Sequence, residues 1–218
     1  ADDDTIVLRE QRASINESMV ARRLQRTPAS ERILVLGWNE RGRFIIRELD
    51  EYVVEGTEIV VVDHVDRAED VEIIRKNVKR SRPSFRQSRT TSRSVLDELD
   101  VPSFNSVIVL ADTTLDVQQA DARTIMTLIH LRDITSAFPT VNIVTEMLDE
   151  RNRSLASTDG INDFIISNTI VSLLLTQIAE NQDLHAVFRD LFDAAGSELY
   201  LKPVTEYISP THQYTMAT

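Results

Sequence analysis

A strand-like run, a glycine turn and a helix-like pattern follow one another in the stretch RILVLGWNERGRFIIRELD, and this order constrains the fold more than any other feature. The run from Arg32 to Leu36 shows no polar alternation, which predicts a strand buried on both faces. Apolar residues then recur at helical spacing between 44 and 53, and Gly56 is placed to end that helix. A second apolar run at 58–63 completes a strand, helix, strand unit, which is typical of a parallel sheet.

The alternation of strand and helix patterns continues along most of the chain. Further strands are predicted at 106–112, 140–147 and 163–167, and further helices at 118–134, 151–158, 168–180 and 184–192. This order predicts an α/β fold with a Rossmann-like, doubly wound parallel sheet. Residues 1–30 are polar with a weak apolar stripe, and we interpret them as an N-terminal linker or docking helix.

Composition excludes several classes of protein. The chain has 218 residues, 42% of them hydrophobic, and no apolar run approaches the roughly 18 residues that span a bilayer. Because the chain has no cysteine, it has no disulfides, thiolate metal sites or cysteine nucleophiles. A formal net charge of -11 argues against a general nucleic-acid-binding protein, since phosphate backbones are bound by an excess of Lys and Arg.

The glycine turn has the outline of a nucleotide-binding loop with one departure. Gly37 permits the tight turn, Gly42 permits close packing of helix on strand, and Asp63 stands where an acidic side chain would hold a ribose. Asn39, however, takes the place of the middle glycine, and its side chain fills space that a pyrophosphate needs. We therefore expect a retained fold with a vacant or altered site, and weak dinucleotide binding is the alternative.

Several carboxylates are predicted to face the same edge of the sheet. They are Asp63, Asp112, Asp116, Glu146 and Asp149. Clustered carboxylates repel phosphate and attract hard cations such as Ca²⁺, which takes six to eight oxygen ligands. The alternative interpretation is that these acids cap the N-termini of helices. The sequence leaves both interpretations open.

The interval 76–93 is strongly basic inside an acidic protein. It contains seven Lys or Arg and no Asp or Glu. We interpret it as a solvated loop and helix rim, and an anion-binding or inter-subunit surface is the alternative.

No catalytic arrangement is apparent in the sequence. The four histidines have no metal-ligand spacing, and there is no G-x-S-x-G elbow or P-loop lysine. We interpret Trp38 as a core plug rather than a lid, and Asp121 and Arg123 as part of a solvated helix face. These observations indicate a protein that is not an enzyme.

Longer stretches carry a more specific signal than the glycine turn. They are ILVLGWNERG, VIVLADTTLDVQQADARTIMTLIHLRDI, VTEMLDERNRSL and DFIISNTIVSLLLTQIAEN, followed by LFDAAGSELYLKP. Together they resemble the cytosolic domain of Castor/Pollux-type ion channels, including bacterial members, over residues 32–207. That family is related to the RCK (regulator of K⁺ conductance, TrkA-N-like) domains.

The resemblance implies a domain organisation and a role. The Rossmann-like lobe would occupy residues 31–167, a crossover helix pair 168–196, and the start of a smaller, truncated C-terminal lobe 197–218. Four copies would form a gating ring on the cytoplasmic face of a membrane, below a transmembrane pore of the same polypeptide that conducts monovalent cations such as K⁺. Neither nucleic acid nor catalysis is implied.

The resemblance also implies a ligand. Members of the family respond to Ca²⁺ through acidic residues, and the matching candidates are Asp112, Asp116, Glu146 and Asp149. One departure is that Ser88 and Arg89 stand where many RCK domains have a Gly-Asp pair after the third strand. Two alternatives stay open: an NAD(H)-binding sensor or soluble dehydrogenase-like protein, and a ring scaffold without a ligand.

Overall fold

Six parallel strands form one sheet in the computed structural model, which describes residues 29–138, 140–152, 155 and 164–193. The strands are β1 (Arg32–Leu36), β2 (Thr57–Asp63), β3 (Ser81–Gln87), β4 (Ser106–Val109), β5 (Asn142–Met147) and β6 (Phe164–Ile166). Their spatial order is β3-β2-β1-β4-β5-β6, so the direction of winding reverses between β1 and β4. This confirms the predicted doubly wound, Rossmann-like sheet.

Helices connect the strands and extend beyond the last one. They are α1 (Gly42–Tyr52), α2 (Ala68–Arg75), α3 (Arg93–Glu98), α4 (Val117–Thr135), α5 (Ser167–Glu180) and α6 (Leu184–Phe192), with short 3₁₀ turns at Val101–Ser103 and Glu150–Asn152. None of the helices in these ranges has the length and apolar character needed to cross a bilayer. The predicted segments 1–28 and 197–218, and most of the predicted helix at 151–158, lie outside the described residues.

The two faces of β1 belong to two separate parts of the core. Ile33 and Val35 face α1 and α2, whereas Leu34 and Leu36 face α3 and α4. All four side chains are buried, because successive residues of a strand point to opposite faces and both faces carry helices. The uninterrupted apolar run in the sequence therefore predicted a central strand correctly.

The basic interval is irregular only at its two ends, so the prediction of a solvated loop and helix rim was wrong for its middle. Its middle forms β3, the edge strand, which pairs with β2 from Thr57 opposite Ser81 to Asp63 opposite Gln87. Along β3, buried Ser81 and Pro83 alternate with exposed Arg82 and Ser84. This period-2 pattern is made of polar residues and proline, so it lacks the apolar signal that identifies a strand.

A buried carboxylate holds the beginning of β3 to the end of α1. Asp50 accepts hydrogen bonds from the backbone amides of Lys79 at 2.8 Å, Arg80 at 3.0 Å and Ser81 at 2.6 Å, and from the Ser81 hydroxyl at 2.7 Å. Burial alone would raise the pKa of this carboxyl, but these hydrogen bonds outweigh burial and hold the pKa below its usual value. Asp50 thus stabilises the fold in its ionised form.

Two glycines adopt left-handed backbone for different reasons. Gly37 has a φ of 84°, and a Cβ added there would lie 2.5 Å from the carbonyl oxygen of Leu110, so a side chain is excluded by sterics as well as by backbone conformation. Gly56 has a φ of 89° and open space around it. It lies in the turn before β2, whereas α1 ends at Tyr52, so its predicted role as the end of that helix was wrong.

We expect Asp50→Asn to lower the free energy of unfolding by about 2–3 kcal/mol at neutral pH, because an amide cannot accept all four hydrogen bonds. Since the folded pKa of Asp50 lies below its unfolded value of about 3.9, its contribution is present above that value. It is lost as pH falls through the folded pKa. Urea denaturation from pH 7 to pH 3 should therefore show the two proteins converging at the acid end, and a constant difference would contradict this assignment.

Candidate functional site

The candidate site lies at the carboxyl edge of the sheet, where β1 and β4 are neighbours. In doubly wound sheets, ligands bind outside the carboxyl ends of the strands at the point where the strand order reverses. Leu36 and Val109, the last residues of β1 and β4, are in register, and the amide of Leu110 donates to the carbonyl of Leu36 at 2.8 Å. The loops that follow these two strands, together with the end of β5, form the site.

Asn39 is the residue that joins these loops. Its side chain is buried, with 6% exposed, and its Oδ1 accepts a hydrogen bond at 3.0 Å from the amide of Arg41 at the start of α1. Its Nδ2 donates to the carbonyl of Ala111 at 2.9 Å and to Oε2 of Glu146 at 2.8 Å. The side chain therefore accepts from the backbone amide of Arg41, which a phosphate would otherwise use. It also links the turn after β1 to the ends of β4 and β5.

Glu146 supplies a negative charge to the centre of this edge. Its carboxylate is 8% exposed and accepts from Asn39, from the amide of Ala111 at 3.1 Å and from Nη1 of Arg41 at 2.9 Å. A buried carboxylate needs such donors, because its desolvation is costly unless it is paired and hydrogen bonded. An internal anion thus holds the donors that a ligand phosphate would need.

Asp63 is also occupied by protein groups. Its carboxylate is buried and accepts from the amide of His64 at 2.8 Å and from Nε of Arg67 at 3.3 Å. The cleft beside Gly37 and Asp63 has a volume of 30 Å³, far below the roughly 300–1,000 Å³ of ligand pockets. The residues present therefore do not fit the adenosine half of a dinucleotide.

A larger cleft of 340 Å³ opens on the other side of the turn, between α1 and α2. Two arginines line it, but both are already paired: Arg43 with Asp70, and Arg67 with Asp63. Their charges are neutralised by these carboxylates, so the cleft is not prepared for a phosphate group.

Trp38 fills the core beneath the turn, as predicted. Its side chain is buried and packs within the cluster on the α1 side of the sheet. A Cβ added to Gly42 would lie 2.8 Å from the indole ring, so this glycine accommodates Trp38 rather than a ligand. Both glycines of the turn are required by packing.

The candidate calcium ligands make local hydrogen bonds and ion pairs. Asp116 caps α4 by accepting from the amides of Gln118 and Gln119, both at 3.1 Å, which confirms the capping interpretation for this residue. Asp112 accepts from the amide of Thr114 and pairs with Arg123 at 3.1 Å.

Asp149 is engaged most fully. Its carboxylate accepts from the Arg151 guanidinium at 2.6 Å and from Nε2 of Gln118 at 3.1 Å. The hydrogen bonds from Arg151 lower the pKa of Asp149 below its usual value.

The structure brings only some of the four candidates together. Asp116 and Asp149 are linked through Gln118, whereas Glu146 belongs to the separate cluster around Asn39. Within the described ranges, no group of three or more His, Asp or Glu side chains could hold a metal ion. The donor chemistry suits Ca²⁺, but one copy of the chain does not present an assembled site, and the assignment of these residues as ligands stays a prediction.

The sequence analysis missed a buried carboxylate at this edge of the sheet. Asp121, predicted on a solvated helix face, is fully buried and accepts from the amides of Leu148 at 2.8 Å and Asp149 at 3.0 Å, and from Nδ2 of Asn152 at 2.7 Å. It orders the loop after β5. Its spacing from the buried residues Thr124 and Leu128 places it on the inner face of α4 and was the available signal.

Comparison with known proteins identifies related sequences. The model of the TrkA-N domain family matches residues 33–168, more than half of the chain. The probable ion channel CASTOR of Oryza sativa subsp. japonica is 27% identical over 82% of this chain and 24% of its own length. The probable ion channel POLLUX of Arabidopsis thaliana is 26% identical over 82% of this chain and 26% of its own length. The chain thus spans about a quarter of the length of these relatives.

A solved structure supports the fold assignment. The crystal structure of the NAD(P)-binding domain of an exopolyphosphatase-related protein from Archaeoglobus fulgidus superposes with a TM-score of 0.50. The match covers 69% of this chain and 98% of that domain at 16% sequence identity. At this identity the similarity shows the fold alone.

We expect Glu146→Gln to lower the free energy of unfolding by about 2–3 kcal/mol, because Arg41 loses its buried partner and an amide nitrogen meets other donors. Glu40→Gln is the matched control, since Glu40 also lies near Arg41, at 3.6 Å, but its side chain is 66% exposed. An exposed pair contributes less than about 1 kcal/mol. Equal losses in guanidinium denaturation would contradict the central role of Glu146.

Proposed function

The chain belongs to the TrkA-N domain family, and on that premise we propose that it is a regulatory, ligand-sensing domain of an ion channel of the Castor/Pollux type. In this proposal it is one copy of a gating ring on the cytoplasmic face of a membrane. The pore, formed by another part of the same polypeptide, conducts monovalent cations such as K⁺. The relatives named as ion channels support this proposal.

The observation that carries the proposal is the protein-filled carboxyl edge. A dehydrogenase needs a dinucleotide at this edge of the sheet. Here Glu146, Asn39 and Arg41 satisfy one another at that place. A sheet edge held together by contacts within the protein suits a regulatory domain that transmits a conformational change. It is less suited to an enzyme that binds a dinucleotide and transfers hydride.

Among the residues that the structure describes, part of one face of the sheet carries no helix, and this apolar surface supports assembly with further copies. The α1 face of the sheet carries three apolar residues on β4, β5 and β6, namely Ile108, Val144 and Ile165. A groove of 630 Å³ separates Ile108 and Val144 from α1. Ile165 is 44% exposed. Because parallel sheets are normally covered on both faces, this half-face calls for a partner.

The helix that follows β6 offers a matching surface. Leu173 and Leu175 of α5 are 60% and 64% exposed, and no residue of this helix is buried. If α5 of one copy covers the half-face of the next copy, this head-to-tail contact can repeat around a closed ring. We therefore propose that α5 and α6 form the contact between copies in the ring.

Calcium is the finer part of the proposal. Asp116 and Asp149 both accept hydrogen bonds from Gln118 in the first turn of α4, and they supply carboxylate oxygens, the ligands that Ca²⁺ prefers. Since one copy does not complete such a site, we propose that a second copy in the ring supplies the remaining ligands. Ca²⁺ would then shift the ring between two shapes by its difference in affinity for them.

We expect the chain to form tetramers or octamers in size-exclusion chromatography with light scattering. Leu173→Asp should weaken association at least about tenfold, because a contact worth roughly 1.5–3 kcal/mol is replaced by a buried charge. Ile73→Asp is the control, since Ile73 is an exposed aliphatic residue on α2, away from the proposed contact. A monomeric wild-type chain at all concentrations would contradict the ring.

We expect calorimetric titration of the assembled chain to show heat with Ca²⁺ and none with NADH. Asp149→Asn should remove the Ca²⁺ heat, whereas Glu55→Gln, a change at an exposed carboxylate between α1 and β2, should leave it unchanged. Heat with NADH but not with Ca²⁺ would overturn the calcium proposal and favour the NAD(H)-binding sensor or dehydrogenase-like alternative. Heat with neither would favour a ring scaffold without a ligand.

A further inference from the structure

A basic corner lies where α2 runs into the edge strand β3. We define it by four exposed cationic residues, Lys76, Lys79, Arg80 and Arg82. They belong to the interval 76–93, which contains no Asp or Glu although the chain as a whole has a net charge of -11. This stretch of the chain is therefore positively charged within an acidic protein.

The cations of the basic corner have no carboxylate partner among the residues that the structure describes. Arg80 donates to the backbone carbonyl of Glu51, a neutral acceptor. Glu58 stands opposite Arg82 in the sheet, but its carboxylate is hydrogen bonded to Arg32 at 3.1 Å. Lys76, Lys79, Arg80 and Arg82 are therefore the cationic side chains that the corner presents to solvent.

The fold places the basic corner at the amino edge of the sheet. Arg32, Glu58 and Arg82 form one row across β1, β2 and β3, so Arg82 is level with the first residue of β1. Strands in a sheet lie about 4.8 Å apart, which puts the two arginine backbones about 10 Å apart. The chain enters β1 at this edge.

The edge strand beside the corner is closed to pairing with another strand. The amide of Ser81 is bound by Asp50, and Pro83 has no amide hydrogen to donate. A peptide adding to this edge would lose these hydrogen bonds. Side-chain charge, rather than backbone, is what the corner offers to a partner.

We propose that the basic corner binds the phosphates of anionic lipid headgroups at the membrane surface. This inference rests on the proposed function, which places the domain at the cytoplasmic face of a membrane. Arg and Lys are the side chains that bind phosphate, and each adds about 1 kcal/mol of attraction to an anionic membrane surface. The contact docks one edge of the ring against the bilayer.

The position of the corner favours a membrane over a second copy of the chain as the partner. The open half-face of the sheet lies over β4, β5 and β6, whereas the corner lies at β3 on the opposite edge. Association through α5 and the half-face would therefore leave the corner exposed in the ring. A lipid surface can reach it there.

The test is sedimentation of the full chain with two kinds of vesicle. One is phosphatidylcholine alone, and the other also contains about 30% phosphatidylserine, which makes its surface anionic. We expect binding to the anionic vesicles only, decreasing as salt is raised. Lys79→Glu with Arg82→Glu should weaken binding at least about tenfold, since at least two charges of about 1 kcal/mol each are reversed. Unchanged binding by this double variant would overturn the proposal.

A control variant with the same change in charge tests whether vesicle binding depends on the basic corner or only on the net charge of the chain. Arg47→Glu with Arg89→Glu alters an exposed residue of α1 and the residue near the carboxyl end of β3, and it should leave binding unchanged. Equal losses in both double variants, or equal binding to neutral vesicles, would overturn a specific corner. Thermal unfolding of each variant checks that it is folded.

Light scattering on the same samples distinguishes this inference from the proposed function. A wild-type chain that forms rings but does not bind anionic vesicles overturns the membrane contact and leaves the ring intact. A chain that neither assembles nor binds vesicles contradicts both. If the corner variant loses assembly while vesicle binding persists, the corner belongs to an interface between copies, and the membrane contact is overturned.

Discussion

The carboxyl edge of the sheet depends on one buried charge, the carboxylate of Glu146. A carboxylate removed from water is tolerated only where donors surround it, and here Asn39, Arg41 and the amide of Ala111 supply them. Because these donors come from the turn after β1 and the loop after β4, satisfying one charge fixes three strand ends at once. These donors are engaged by an internal carboxylate, so they are not free to bind a phosphate in this arrangement.

The fold was predictable from the sequence because its central strands are apolar runs separated by helical periods. The prediction failed at β3, whose arginines and proline resemble a loop. That strand is specified by long-range contacts, with β2 on one side and the buried Asp50 at its start, and such contacts leave no local pattern.

The candidate site was predictable in part. Asn39 was identified as the residue that removes room for a pyrophosphate, and the structure gives the reason, since its side chain crosses from one loop to two others. The acids could not be sorted from sequence. Asp116 caps a helix, Asp121 orders a loop and Glu146 balances an arginine, although all three are carboxylates near the ends of the same strands. Only tertiary contacts distinguish these roles.

The glycine at position 37 has a consequence for how such chains are recognised. A side chain there would collide with the carbonyl of Leu110 whether or not any ligand is present. The fold of this chain therefore requires Gly37 for packing, with or without a cofactor. The glycine by itself is therefore no evidence for nucleotide binding, whereas the side chain of Asn39 occupies the backbone amide of Arg41 in the same turn.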